Sequence, residues 1–137
     1  MKQTVLLVDD CSLLRASVNE YLSSFGVHSI PTGTLADARR ILEGEIVDVV
    51  VTDIILGKET AVPLIQKAAS LNLRVVITTA LVEEGVRRLL GTLAQRVSIL
   101  EKPFDLSRLR RCVTLSASGS IPRCASAAPM APAGFVL

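Results

Sequence analysis

Hydrophobic and polar positions along this chain change period repeatedly, from short unbroken apolar runs to helical spacing and back. Val5 to Val8 is a continuous apolar run of the kind carried by a strand buried on both faces. Leu14, Val18, Tyr21, Leu22 and Phe25 then recur at helical spacing across Leu13 to Phe25. Gly26 stops that helix, Val27 to Ile30 offers a second strand, and Leu35, Ala38, Ile41 and Leu42 repeat the helical period between Thr34 and Glu43. Val49 to Thr52 is β-branched throughout, which disfavours a helix and suits a central strand ending on Asp53. Pro63 fits the first turn of a helix reaching about Ser70, and "RVVITT" supplies a fourth strand. "EEGVRRLLGTLAQ" predicts a fourth helix with acids at its start, weakened by Gly85 and Gly91. "VSIL" is a fifth strand, and Asp105 caps a last helix through Leu106, Leu109, Cys112 and Val113.

Five strand–helix units in succession predict a doubly wound α/β fold: a five-stranded parallel sheet with helices on both faces and right-handed crossovers. The flavodoxin-like order 2-1-3-4-5 suits this length, and it puts the ligand crevice at the carboxyl ends of the first and third strands. Of the 137 residues, 1–115 are expected to form this one domain. The segment 116–137 is rich in Ala, Ser and Pro with Arg123 as its only charge, and is expected to be a disordered or loosely attached tail.

Composition narrows the function classes. Charged residues interrupt every apolar run before it reaches the length of a bilayer span, and the N-terminus carries no signal-peptide pattern, so a soluble cytoplasmic protein is expected. Cys11, Cys112 and Cys124 spell neither a disulfide framework nor a zinc site, and Cys11 reads as a small buried or half-buried thiol. All 13 acids lie at or before Asp105, with Arg108, Arg110, Arg111 and Arg123 after it. Arginines in the last turns of a helix suit its dipole. With one Tyr, three Phe and no Trp, aromatic platforms are scarce, and direct DNA binding is not expected.

The candidate chemistry sits at the strand ends. Asp9 and Asp10 close the first strand and Asp53 the third, so the expected strand order makes three carboxylates neighbours. Like charges about 5 Å apart at an effective dielectric near 20 repel by roughly 3 kcal/mol per pair. Protonation or a cation relieves this, and a hard divalent ion taking oxygen ligands, Mg²⁺ above all, is the natural partner. Taken singly, an Asp after a strand is more often a cap or turn former than a ligand. Thr78 and Thr79 at the fourth strand end add hydroxyls, and Lys102 before Pro103 at the fifth adds a cation; their joint occurrence favours a site over isolated caps.

These ordered motifs, "VLLVDD", "VVVTD", "VVITTA" and "EKPF", resemble the receiver domain of two-component response regulators over about residues 3–115. The resemblance implies Asp53 as phosphoacceptor, Asp10 as a direct Mg²⁺ ligand, Asp9 acting through a bound water, and the Ile55 carbonyl as a further ligand. It implies that Thr79 hydrogen-bonds a phosphoryl oxygen, that Lys102 pairs with the phosphate or Asp53, and that the Lys102–Pro103 bond is cis. The donor is then a phosphohistidine on a sensor histidine kinase or phosphotransfer protein. The receptor of the signal is a downstream protein at the face of the fourth helix, fifth strand and fifth helix. His28, the only histidine, is given no relay role.

The chain departs from the family pattern in the loop after Asp53, where Leu56 replaces Met, Gly57 replaces Pro and Ala61 replaces Gly. A more mobile loop is expected. At the position three before Lys102, usually aromatic, stands Ile99, stiff about its first torsion and unable to act as a rotating ring. Ile55 and Leu81 occupy the two positions that tune phosphoryl lifetime; neither can orient water, so slow self-dephosphorylation is expected. The leading reading is a stand-alone phosphoacceptor switch rather than an enzyme, with a phosphorylation-independent interaction module as the alternative. An Asp-nucleophile phosphohydrolase generally wants a second Asp two residues after the first, where Ile55 stands here.

Overall fold

The computed structural model describes residues 3–114. Its elements run β1 (Thr4–Val8), α1 (Ser12–Ser23), β2 (His28–Thr32), α2 (Leu35–Gly44), β3 (Val49–Thr52), β4 (Ile55–Leu56), β5 (Glu59–Thr60), α3 (Val62–Ser70), β6 (Arg74–Thr79), α4 (Glu83–Leu90), a 3₁₀ helix (Gly91–Arg96), β7 (Val97–Glu101) and α5 (Leu106–Thr114). Five strands form one sheet in the order β2-β1-β3-β6-β7, every pair parallel, while β4 and β5 make a separate two-residue antiparallel hairpin. With the hairpin set aside, this is the flavodoxin-like order expected.

Alternation along the strands divides the core between the two faces. Leu6, Val8, Val50, Ile77 and Ile99 pack with Ala38 and Leu42 of α2, Leu64, Ile65 and Ala68 of α3, and Val86 and Leu90 of α4. On the other face Val5, Leu7, Val51, Val76 and Leu100 meet Val18 and Leu22 of α1 and Leu106, Leu109 and Val113 of α5. Val5, Leu6, Val8, Val50 and Val51 are at 0 % exposure, as continuous apolar strands require when helices cover both faces.

Departures from the expected boundaries have local causes. β2 runs on through Pro31 to Thr32 because it is an edge strand, where a residue without an N–H costs little. α1 ends at Ser23, and Phe25 lies beyond it, 49 % exposed, with the Arg110 guanidinium carbon 3.8 Å above its ring centroid. The fourth helix stops at Leu90 because Gly91 takes φ +60°, and a tighter 3₁₀ turn finishes the crossover. Cys11 is exposed and free, against the buried or half-buried thiol expected, because it lies at the solvent-facing turn between β1 and α1. Cys112 is buried in the cluster under α1 and α5. Among the described residues no helix is long and apolar enough to cross a membrane. The expected tail over 116–137 lies outside the described residues.

Candidate functional site

Parallel pairing aligns the carboxyl ends of the central strands, with Val8 opposite Thr52 and Thr79 opposite Glu101. Backbone bonds extend this order past the strands: the Asp53 N–H donates to the Val8 carbonyl at 3.1 Å, and the Asp9 N–H to the Thr32 carbonyl at 3.1 Å. Asp9 and Asp53 are thereby held side by side at the reversal of strand order, where doubly wound folds form their crevice.

Between them stands Lys102. Its Nζ is 3.0 Å from Asp9 Oδ2 and 3.0 Å from Asp53 Oδ2. The lysine backbone is fixed as well, because its N–H donates to the Thr79 carbonyl at 2.7 Å and the following Lys102–Pro103 bond is cis. Burial disfavours the ammonium, but hydrogen bonds and attraction from Asp53 and Asp9 together outweigh that penalty and raise the Lys102 pKa above the ordinary lysine value.

The second oxygens of both carboxylates are held locally: Asp9 Oδ1 accepts from the Cys11 N–H at 2.9 Å, and Asp53 Oδ1 from the Ile55 N–H at 3.2 Å. Arg15 reaches back from α1 to donate to the Asp9 carbonyl at 2.6 Å. Asp9 is 2 % exposed, whereas Asp10 is open to solvent and its Oδ2 accepts from the Gly57 N–H at 3.0 Å. Thr79 is 1 % exposed; its Oγ1 accepts from the Leu81 N–H at 3.1 Å, which leaves the hydroxyl proton to donate elsewhere. Ile55 and Leu81 are each 37 % exposed. Ile99 is buried in the same apolar cluster as Val86 and Leu90 of α4. His28 is exposed and pairs with Thr4, at the opposite end of the sheet from Asp9.

Sequence reasoning missed two anchors. Asp9 is paired with Lys102, and Asp10 with the Gly57 amide. Gly57 stood out only as a departure from a pattern; the direction of a backbone N–H is not written in side-chain type. Among the described residues, no group of three or more His, Cys, Asp or Glu side chains is gathered as a metal cage. The ammonium between Asp9 and Asp53 is the physical reason, since it fills the place between two of the three acids. The donor set nevertheless fits a hard divalent ion: three carboxylates against one ammonium leave two uncompensated negative charges, all on oxygen, and Asp10 presents its charge to solvent.

The chain belongs to the response regulator receiver domain family, whose model matches residues 5–114, and such domains are parts of two-component systems. Comparison with curated proteins finds no match. Similar solved structures include a response regulator receiver protein from Pseudomonas putida, 26 % identical, with 80 % of this chain and 93 % of that chain aligned at a TM-score of 0.66. One from Sinorhizobium medicae is 24 % identical, with coverages of 83 % and 93 % and a TM-score of 0.73. A response regulator protein from Burkholderia pseudomallei, solved with a phosphorylated aspartic acid, calcium ion and citrate, is 16 % identical, with coverages of 82 % and 66 % and a TM-score of 0.73.

Proposed function

We propose that this chain is a phosphoacceptor receiver in which Asp53 takes a phosphoryl group from a phosphohistidine on a sensor histidine kinase or phosphotransfer protein. An Asp53 carboxylate oxygen attacks phosphorus, the P–N bond breaks, the imidazole leaves with its electron pair, and an acyl phosphate forms. Lys102 meets the developing phosphoryl charge with its ammonium, and the Thr79 hydroxyl donates its proton to a phosphoryl oxygen. Mg²⁺ is the proposed cation, held by Asp10, Asp53, Asp9 through a water, and the Ile55 carbonyl. When bound, it neutralises charge on the phosphoryl oxygens.

The single observation carrying this reading is the Lys102 ammonium 3.0 Å from Asp53 Oδ2. The cation already lies beside the attacking carboxylate, where a phosphoryl oxygen would sit. The domain is taken as residues 1–115, acts as a switch rather than an enzyme, and is placed in the cytoplasm. Its signal passes by protein contact at the α4–β7–α5 face, without direct DNA binding. Incubation with Mg²⁺ and acetyl phosphate, followed by intact mass, tests this: wild type gains one phosphoryl group and Asp53→Ala gains none. A wild type that stays unmodified would favour the phosphorylation-independent interaction module.

A further inference from the structure

The hairpin that follows Asp53 reaches back to the other side of the site. β4 and β5 pair Ile55 with Thr60 and Leu56 with Glu59, and the turn between them begins at Gly57 with φ +62°. That left-handed conformation aims the Gly57 N–H at Asp10 Oδ2, 3.0 Å away across 47 residues of sequence. The hairpin is itself anchored: Leu56 is 6 % exposed within the core, and the Ala61 N–H donates to the Ile54 carbonyl at 2.7 Å.

Asp10 differs from its neighbours in what holds it. Asp9 is buried, Asp53 is half-buried and both are braced by Lys102, whereas Asp10 is exposed, and an exposed carboxylate on a turn samples several rotamers unless something fixes it. We infer that Gly57 is a positioning residue for cation binding: its amide holds Asp10 by one oxygen and fixes the carboxylate before the ion arrives. This rests on the reading of Asp10 as a cation ligand. A rotamer fixed in advance need not be ordered on binding, so affinity rises without a new contact to the ion. Proline, the usual residue at this place in the family pattern, has no N–H to offer and cannot adopt a positive φ. Asparagine has the N–H and tolerates the left-handed region.

Mg²⁺ titration by calorimetry on wild type, Gly57→Pro and Gly57→Asn tests the inference, with amide hydrogen exchange of Gly57 measured in wild type and Asp10→Ala. We expect Gly57→Pro to weaken Mg²⁺ binding at least threefold, Gly57→Asn to stay within twofold of wild type, and Gly57 exchange to quicken in Asp10→Ala. Equal Mg²⁺ affinity in wild type and Gly57→Pro overturns the inference while leaving the phosphoacceptor reading intact. Equal weakening in both Gly57 variants overturns it too, since Gly57→Asn keeps the amide that the inference requires. If wild type binds no Mg²⁺, the cation reading of Asp10 fails and the inference with it. Unchanged Gly57 exchange in Asp10→Ala overturns the hydrogen bond itself, whatever the variants' folding.

Discussion

Lys102 serves two acids, and its value to the fold and to the chemistry can be separated by pH. Its ammonium is 22 % exposed, while the side chains of Asp9 and Asp53 are 3 % and 13 % exposed, so replacing it leaves two neighbouring carboxylates without a cation. Lys102→Met is expected to destabilise the domain by about 2 kcal/mol at neutral pH, below the figure for a wholly buried pair because water reaches the lysine. Since the folded-state pKa is raised, that contribution is full below the unfolded lysine's pKa and is lost as pH climbs through the folded one. Urea unfolding of wild type and Lys102→Met should therefore give a stability gap that is constant near neutrality and narrows in the alkaline range; a gap that widens there contradicts the assignment. Ile55 and Leu81, half-open at the mouth of the site, offer an attacking water no acceptor. An Ile55→Asn, Leu81→Glu double variant should lose its phosphoryl group faster than wild type, and decay much faster in wild type would refute slow self-dephosphorylation.

Among the elements, β7 contributes Ile99 to the apolar cluster that also holds Val86 and Leu90 of α4, and its burial would limit how a phosphoryl state, once formed, is transmitted. Ile99 is 4 % exposed and packs in the same cluster as Val86 and Leu90. A β-branched side chain locked in the core has no outward rotamer to populate, so the change at the α4–β7–α5 face on phosphorylation is expected to be muted. Comparing amide shifts with and without a phosphate mimic checks it, and a large rearrangement at that face would be the contrary result. The same elements show how much the sequence made legible. The strands β1, β3, β6 and β7 could be read within a residue because short runs rich in apolar and β-branched residues, set between helical spacings, have few alternative folds. By contrast, β4 and β5 are two residues each, too short to display any period, and the end of α4 depended on a single φ at Gly91. The acids were legible as strand-end residues, yet the pairing of Asp9 with Lys102 depends on where a long flexible side chain comes to rest, which spacing does not encode.

Over the whole molecule, the parallel sheet serves to bring distant positions together: Asp9, Asp53, Thr79 and Lys102 come from four strand ends or the turns that follow them. The cost is like-charge crowding at one end of the fold, offset in part by Lys102 and completed by a cation. Phosphate is expected on Asp53, and on neither Asp9 nor Asp10. Borohydride reduction after treatment with acetyl phosphate and Mg²⁺ converts an aspartyl phosphate to homoserine, and tandem mass spectrometry then locates it. Homoserine is expected at position 53 alone; homoserine at position 9 or 10, or at none of the three, would contradict Asp53 as the phosphoacceptor.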